Sequence, residues 1–172
     1  MPGFRFPRPS AADMKSSSQR EPDADETLWR RGVTLDELNA LRAGNMTAHL
    51  GIEFVEIGPR FIRARMPVDE RTRQPFGLLH GGASVALAET LGSVAAHACL
   101  PGGREGVGLE INANHVRAVR SGFVTGTVRP VHVGRTTQVW QIRIIEGEEG
   151  RLVCQSRLTM AVIGEQGGAG RG

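Results

Sequence analysis

Apolar residues recur along this chain with two different periods, and the places where the period changes divide it into elements. Thr34 precedes Glu37 by three residues, and Leu35, Leu38 and Leu41 share one stripe ahead of Gly44. That spacing combines a capping box with a stop, and it predicts an amphipathic helix near residues 34–43. The period then shortens to two. Ile52, Phe54 and Ile57 mark a strand over 51–57, and Ile62, Ala64 and Met66 alternate with Arg63 and Arg65 over 60–67, with Gly58-Pro59 as the hairpin turn. Four further strand-like runs, near 106–116, 122–133, 136–146 and 151–163, are separated by glycine-bearing or charged turns and predict a meander of long antiparallel strands. Between the two groups, residues 81–98 are apolar nearly all the way round, which predicts a buried helix. The order ββαββββ predicts an α+β fold, a curved antiparallel sheet wrapped around one long central helix, with a short N-terminal helix.

The ends read differently. Residues 1–26 hold four prolines, the run Ser16-Ser17-Ser18 and little periodic apolar content, so ordering them would cost more than burial returns, and a disordered tail is expected. Residues 164–172, rich in glycine, predict a second flexible tail, leaving one domain over 27–163. At 172 residues, 40% of them hydrophobic, one ordinary core suffices without disulfide or metal staples. Cys99 and Cys154 form no CxxC pair and predict reduced, buried thiols, with a cytoplasmic location as the expectation. The net charge of +3 comes from arginines scattered among 18 acids, not from a clustered basic face, so no nucleic-acid partner is expected. The longest apolar stretch is interrupted by Glu89 and His97, and no membrane span is predicted.

Glu89 is the one carboxylate between Gly81 and Leu100. An ionised group in an apolar helix is costly unless something compensates it. Either it faces solvent through a gap, or it is a positioned acid with Ser93, four residues on, as its orienter. Gly77-Leu78-Leu79-His80-Gly81-Gly82 stands at the helix entry. Free first-turn N–H groups there, together with the positive end of the helix dipole, suit an oxyanion hole, although two glycines serve close packing equally well. His80 is a cap, a packed histidine or a site residue, and Gln74 a surface or a positioning amide. Gly81 and Glu89 lie eight residues apart, about 12 Å along a helix, so one reacting carbon cannot touch both. Two central helices running antiparallel across a two-fold axis would bring the glycine end of each to Glu89 of the other, which predicts an obligate dimer.

The stretches 74–85, Leu87-Ala88-Glu89, Gly92-Ser93-Val94-Ala95 and 108–117, extended by Gln138-Val139-Trp140-Gln141-Ile142 and Ser156-Arg157-Leu158-Thr159, resemble the hotdog-fold acyl-CoA thioesterases of the 4-hydroxybenzoyl-CoA thioesterase type. The similarity is greatest to the branch acting on 1,4-dihydroxy-2-naphthoyl-CoA and in enterobactin proofreading. The resemblance implies hydrolysis of an acyl-CoA, aromatic by family. Glu89 would be nucleophile or general base, assisted by Ser93. Gly81 would donate its N–H to the carbonyl oxygen, with Gln74 and His80 positioning the thioester and water. It further implies a coenzyme A site at Thr90, Gly108, His115, Val116, Arg117, Ala118, His132, Gly134, Arg135, Thr136 and Thr137, with Arg117 as a phosphate partner. Coenzyme A would be part of the substrate, with no separate cofactor, and the dimer would pair into a tetramer. The five histidines show no HExxH spacing, and no metal is expected. A non-catalytic acyl-CoA binding module on the same fold is the alternative, and a hydratase or dehydratase a weaker one.

Overall fold

The computed structural model describes residues 26–147 and 149–164, so the two expected tails fall outside the described residues but for residues 26 and 164. Thr34 opens α1 (Leu35–Ala40) through the expected reciprocal bonds: its hydroxyl accepts from the Glu37 N–H at 3.2 Å, and the Glu37 carboxylate accepts from the Thr34 N–H at 2.9 Å. One further turn, α2 (Met46–His49), is capped by Asn45 and is too short to leave a periodic signal in the sequence.

Six strands form one antiparallel sheet: β1 (Glu53–Gly58), β2 (Phe61–Pro67), β3 (Glu105–His115), β4 (Phe123–Val133), β5 (Thr137–Glu146) and β6 (Arg151–Ile163). Their order is β1-β2-β4-β5-β6-β3. Gly58 pairs with Phe61, so the first hairpin turns on Pro59 and Arg60. The expected four-strand meander is corrected to three. β4, β5 and β6 follow one another, whereas β3 crosses to the far edge and pairs with β6 alone. α3 (Gly81–Cys99) lies across one face of the sheet, and β3 returns antiparallel beneath it, its Gly106 backing onto Ala96 and Leu100.

α3 sits close to the sheet because glycines leave room for it. A Cβ on Gly126 of β4 would stand 2.6 Å from Leu91, and one on Gly92 would strike Leu158 of β6. Around this contact Leu87, Leu91, Ile62, Met66, Trp140, Ile142, Ile144 and Leu158 make the core. The helix is not enclosed all the way round, however. Val85, Glu89, Ser93 and His97, spaced by four, form a half-exposed stripe that the sheet does not cover. At the C-terminal end of α3 a strap over residues 27–33 closes the fold. Leu28 N–H donates to Pro59 O at 2.9 Å, Arg30 N–H to Ala98 O at 2.8 Å, and Trp29 stacks on Trp140 with ring centres 6.4 Å apart. Among the described residues, no helix is long and apolar enough to cross a membrane.

Candidate active site

The loop between β2 and α3 is held at both ends by backbone bonds. His80 N–H donates to Thr72 O and Leu79 N–H to Val119 O, each at 2.8 Å, while the buried Thr72 hydroxyl donates to Pro67 O at 2.7 Å. Arg71 beside Asp69 holds that carboxyl below its ordinary range, which fixes the outer turn of the loop. At its tip, Gln74-Pro75-Phe76-Gly77 forms a tight turn in which Gly77 takes φ +77° and donates to Gln74 O at 2.9 Å. The Phe76 N–H donates to Gln74 Oε1. Gln74 is thereby oriented by its own turn, with its amide NH2 left as the available donor.

At the N-terminus of α3 four N–H groups, those of His80, Gly81, Gly82 and Ala83, precede the first i→i−4 bond, which Ser84 makes. His80 Nδ1 accepts from Gly82 at 2.8 Å, and His80 O accepts from Ala83 at 3.0 Å and Ser84 at 3.2 Å. Gly81 alone of the four has no acceptor among the described residues. His80 is therefore the helix cap, and in its neutral ring the proton sits on Nε2, the nitrogen turned away from the helix.

Gly81 opens onto a cavity of about 430 Å3 lined by Gln74, Leu78, Ser84, His115 and Arg117 among others. A Cβ on Gly81 would lie 2.9 Å from His115 Nε2, so any larger residue here would have to push the His115 ring aside. Val116 and Ala118 line the same cavity. Glu89 does not. It stands two turns further along α3, half-buried, against Gly108 of β3, and its carboxylate has no hydrogen bond or ion pair among the described residues. Thr90, half-buried, follows it. Ser93 sits one turn on in the same stripe without a bond to the carboxylate; its carbonyl instead faces His97 Nδ1 at 2.8 Å. One protomer thus carries a free amide donor in a cavity and an unpartnered acid outside it.

Residues 76–153 match the family model described as Thioesterase superfamily. The chain is 57% identical over 136 residues to 1,4-dihydroxy-2-naphthoyl-CoA hydrolase of Escherichia coli, covering 79% of this chain and 99% of that one. It is 53% identical over 137 residues to the proofreading thioesterase EntH of Cronobacter turicensis, covering 80% and 99%. The solved structure of a Haemophilus influenzae thioesterase superimposes with a TM-score of 0.78 at 53% identity, covering 83% of this chain and all of that one. The chain belongs to the thioesterase superfamily.

In this thioesterase the remaining expected site residues fall elsewhere. His132 lines a second cavity and Gly134 and Arg135 a third, all at the C-terminal end of α3, the opposite end from Gly81. Between them, Gly134 N–H donates to Thr137 O and Val162 N–H to Thr136 O, both at 2.9 Å. The expected residues therefore form two groups at the two ends of one helix, with Glu89, Thr90, Ser93 and Gly108 between them. Sequence reasoning missed two contributors to the candidate site. Ser84, buried, lines the Gly81 cavity one turn on from Gly81, a position the i, i+3 spacing could have marked. Thr72 anchors the loop through backbone partners that leave no local signal. Cys99 is buried and desolvation pushes its thiol up to about 12, against the weaker pull of Arg30 and Arg60; burial likewise raises Cys154. Neither thiol is poised as a nucleophile.

Proposed function

We propose that this thioesterase hydrolyses an aromatic acyl-CoA to the free acid and coenzyme A, with the Gly81 N–H as oxyanion donor and Glu89 delivering the oxygen. The observation that carries this is the unpaired first-turn N–H of Gly81, open to a cavity that also holds the amide of Gln74. A donor of that kind stabilises the negative charge that grows on a thioester carbonyl oxygen, an effect worth about 10²–10³ in rate. Glu89 either attacks the carbonyl carbon itself or takes a proton from the water that attacks. In both cases the tetrahedral centre collapses by breaking the C–S bond, and the coenzyme A thiolate leaves and is protonated. Where Glu89 attacks, a water then hydrolyses the mixed anhydride. Gln74 and His80 position the carbonyl and water, Ser93 assists the acid, and no cofactor is required beyond the coenzyme A of the substrate.

The acid and the donor come from different subunits. β3 is an edge strand whose outer side is unpaired, and Val107 and Leu109 on it are exposed. An edge of this length invites antiparallel pairing with a second copy. Helix-facing residues on β3 are Gly106 and Gly108 before the Leu109 bulge, then Ile111, Ala113 and His115 after it. Opposed residues in an antiparallel pair share a face. A two-fold axis at Asn112 meets that condition, with Ile111 facing Ala113 of the partner and His115 facing the bulge after Gly108 of the partner. His115 flanks Gly81 and Gly108 flanks Glu89, so this register carries the acid of one chain to the cavity of the other. The outer face of the sheet is then free for a dimer of dimers. Two unpaired buried cysteines fit a reducing, cytoplasmic setting.

The aromatic acyl class is supported by the name of the Escherichia coli relative. Coenzyme A release, followed with a thiol reagent across naphthoyl, benzoyl and straight-chain esters, tests the whole proposal. Turnover of the aryl esters that is lost in Glu89→Gln is expected; undiminished turnover in that variant would contradict it.

A further inference from the structure

Four polar side chains are buried among the described residues: Thr72, Ser84, Gln138 and Ser156. Hydrogen bonds account for three of them. The Thr72 hydroxyl donates to Pro67 O at 2.7 Å, Gln138 Oε1 accepts from the Trp140 ring N–H at 3.1 Å, and the Ser156 hydroxyl donates to Asn112 O at 2.6 Å. The Ser84 hydroxyl has no hydrogen bond among the described residues, although Ser84 is only 1% exposed. It lines the cavity onto which Gly81 opens.

A serine inside a helix commonly donates to the carbonyl four residues back. Here that carbonyl, His80 O, already accepts from the N–H groups of Ala83 at 3.0 Å and Ser84 at 3.2 Å. Helical side chains lean toward the N-terminus, so each covers the turn before its own Cα. For Ser84 that turn carries Gly81, three residues back on the same face, which has no side chain to cover the hydroxyl. Leu78, Leu79, Val116, Ala118 and Val153 make the apolar part of the same wall. A buried hydroxyl without a partner destabilises the resting protein, so its place beside the free Gly81 N–H is the pattern of a donor that is satisfied by a ligand.

We infer that the Ser84 hydroxyl is a second donor to the thioester carbonyl oxygen, beside the Gly81 N–H, an inference that rests on the acyl-CoA hydrolysis proposed above. A carbonyl oxygen offers two lone pairs, and the Gly81 N–H serves one. When the nucleophile adds to the carbonyl carbon, the π pair moves onto the oxygen, and Ser84 donates to that oxyanion while keeping its own proton. The pair returns as the C–S bond breaks and the thiolate leaves. Ser84 is no nucleophile, because no base accepts its proton among the described residues. Both donors to the oxygen then come from one turn of one chain. Their hydrogen bonds strengthen as the charge grows, so removing one lowers kcat more than it raises KM.

Ser84→Ala in the full chain is the test, read by stability, kinetics and binding together. Its thermal midpoint is expected to equal or exceed that of the wild type, because the hydroxyl removed had no partner. On aryl-CoA esters kcat is expected to fall about tenfold to a hundredfold, with KM within about twofold of wild type. Calorimetric titration then compares two coenzyme A thioethers in which a methylene separates sulfur from a carbonyl: a methyl ketone, which stays trigonal, and a trifluoromethyl ketone, which adds a nucleophile and becomes tetrahedral. The variant is expected to bind the first as the wild type does and the second about tenfold more weakly. A lowered midpoint, wild-type kcat, an effect on KM alone, or equal loss of both ketones would overturn the inference. Should Glu89→Gln be inactive and Ser84→Ala fully active, the hydrolase reading stands and this inference falls. Should the wild type hydrolyse no acyl-CoA, that reading falls and the ketones still decide: selective loss of the trifluoromethyl ketone upholds the donor, and equal affinity or no binding overturns it.

Discussion

The Glu89 carboxylate lies against the bare Cα of Gly108: a methyl group placed there would stand 2.9 Å from Oε1. The acid on the helix is thus located by a glycine on the edge strand, and the pair is fixed within one chain whatever its partner does. Gly108→Ala is expected to push the flexible end of Glu89 aside with little effect on stability, because the residue is exposed and the obstacle is a side-chain tip. Displacement of a reacting group by about 1 Å costs on the order of 10²-fold in rate. Steady-state kinetics should show kcat reduced by that order, with the thermal midpoint within a few degrees of wild type.

Glu89→Gln is expected to lower kcat by about 10²–10⁴ and leave the fold intact, since the carboxylate has no hydrogen bond or ion pair among the described residues. Circular dichroism and kinetics on the same preparation check both halves. A folded variant with wild-type turnover would remove Glu89 from the mechanism.

Gly92→Ala should destabilise the protein by about 1–3 kcal/mol through overpacking against Leu158, partly offset by the better helix propensity of alanine, about 1 kcal/mol. Urea titration measures it. An increase in stability would mean that the helix and sheet are less closely packed than the glycines imply.

Burial raises the Cys99 thiol from its ordinary 9.0 to about 12, so the folded chain holds that proton more tightly than the unfolded one. Below pH 9 both states are protonated and the contribution to stability is complete. As pH rises from 9 toward 12, the unfolded thiol ionises first and stability is lost progressively. The melting temperature should fall over the accessible part of that range, and less steeply in Cys99→Ala. Equal slopes for the two proteins would show that another group controls the alkaline limit.

What the sequence made legible was local. Thr34 and Glu37 announce a cap by spacing alone, and residues 81–98 announce α3 because a run of that composition must be buried. Gly81 and Glu89 stand eight positions apart, and because helix rise is fixed that spacing alone leads to the proposal of a second chain. What escaped depends on neighbours distant in sequence. Alternating apolar residues show that β3 is a strand but not that it pairs with β6 at the edge, because strand order is decided by long-range packing. Gly108 carries no mark of its contact with Glu89, and Arg30 and Arg104, 74 positions apart, none of their shared cavity wall. The half-exposed stripe of Val85, Glu89, Ser93 and His97 was hidden for a different reason: in a helix this rich in alanine and glycine, a polar stripe barely stands out from the buried faces.

Hybrid dimers give the most direct measurement. Glu89→Gln and Gly81→Ala should each abolish turnover when purified alone, the first by removing the acid and the second by setting a methyl group against His115. Unfolded together and refolded as a mixture, half of the dimers are mixed, and each mixed dimer pairs one intact Gly81 with the one intact Glu89 across the two-fold axis. Recovery of about one quarter of wild-type activity is expected. A mixture as inactive as its two components would show that donor and acid are not shared between subunits.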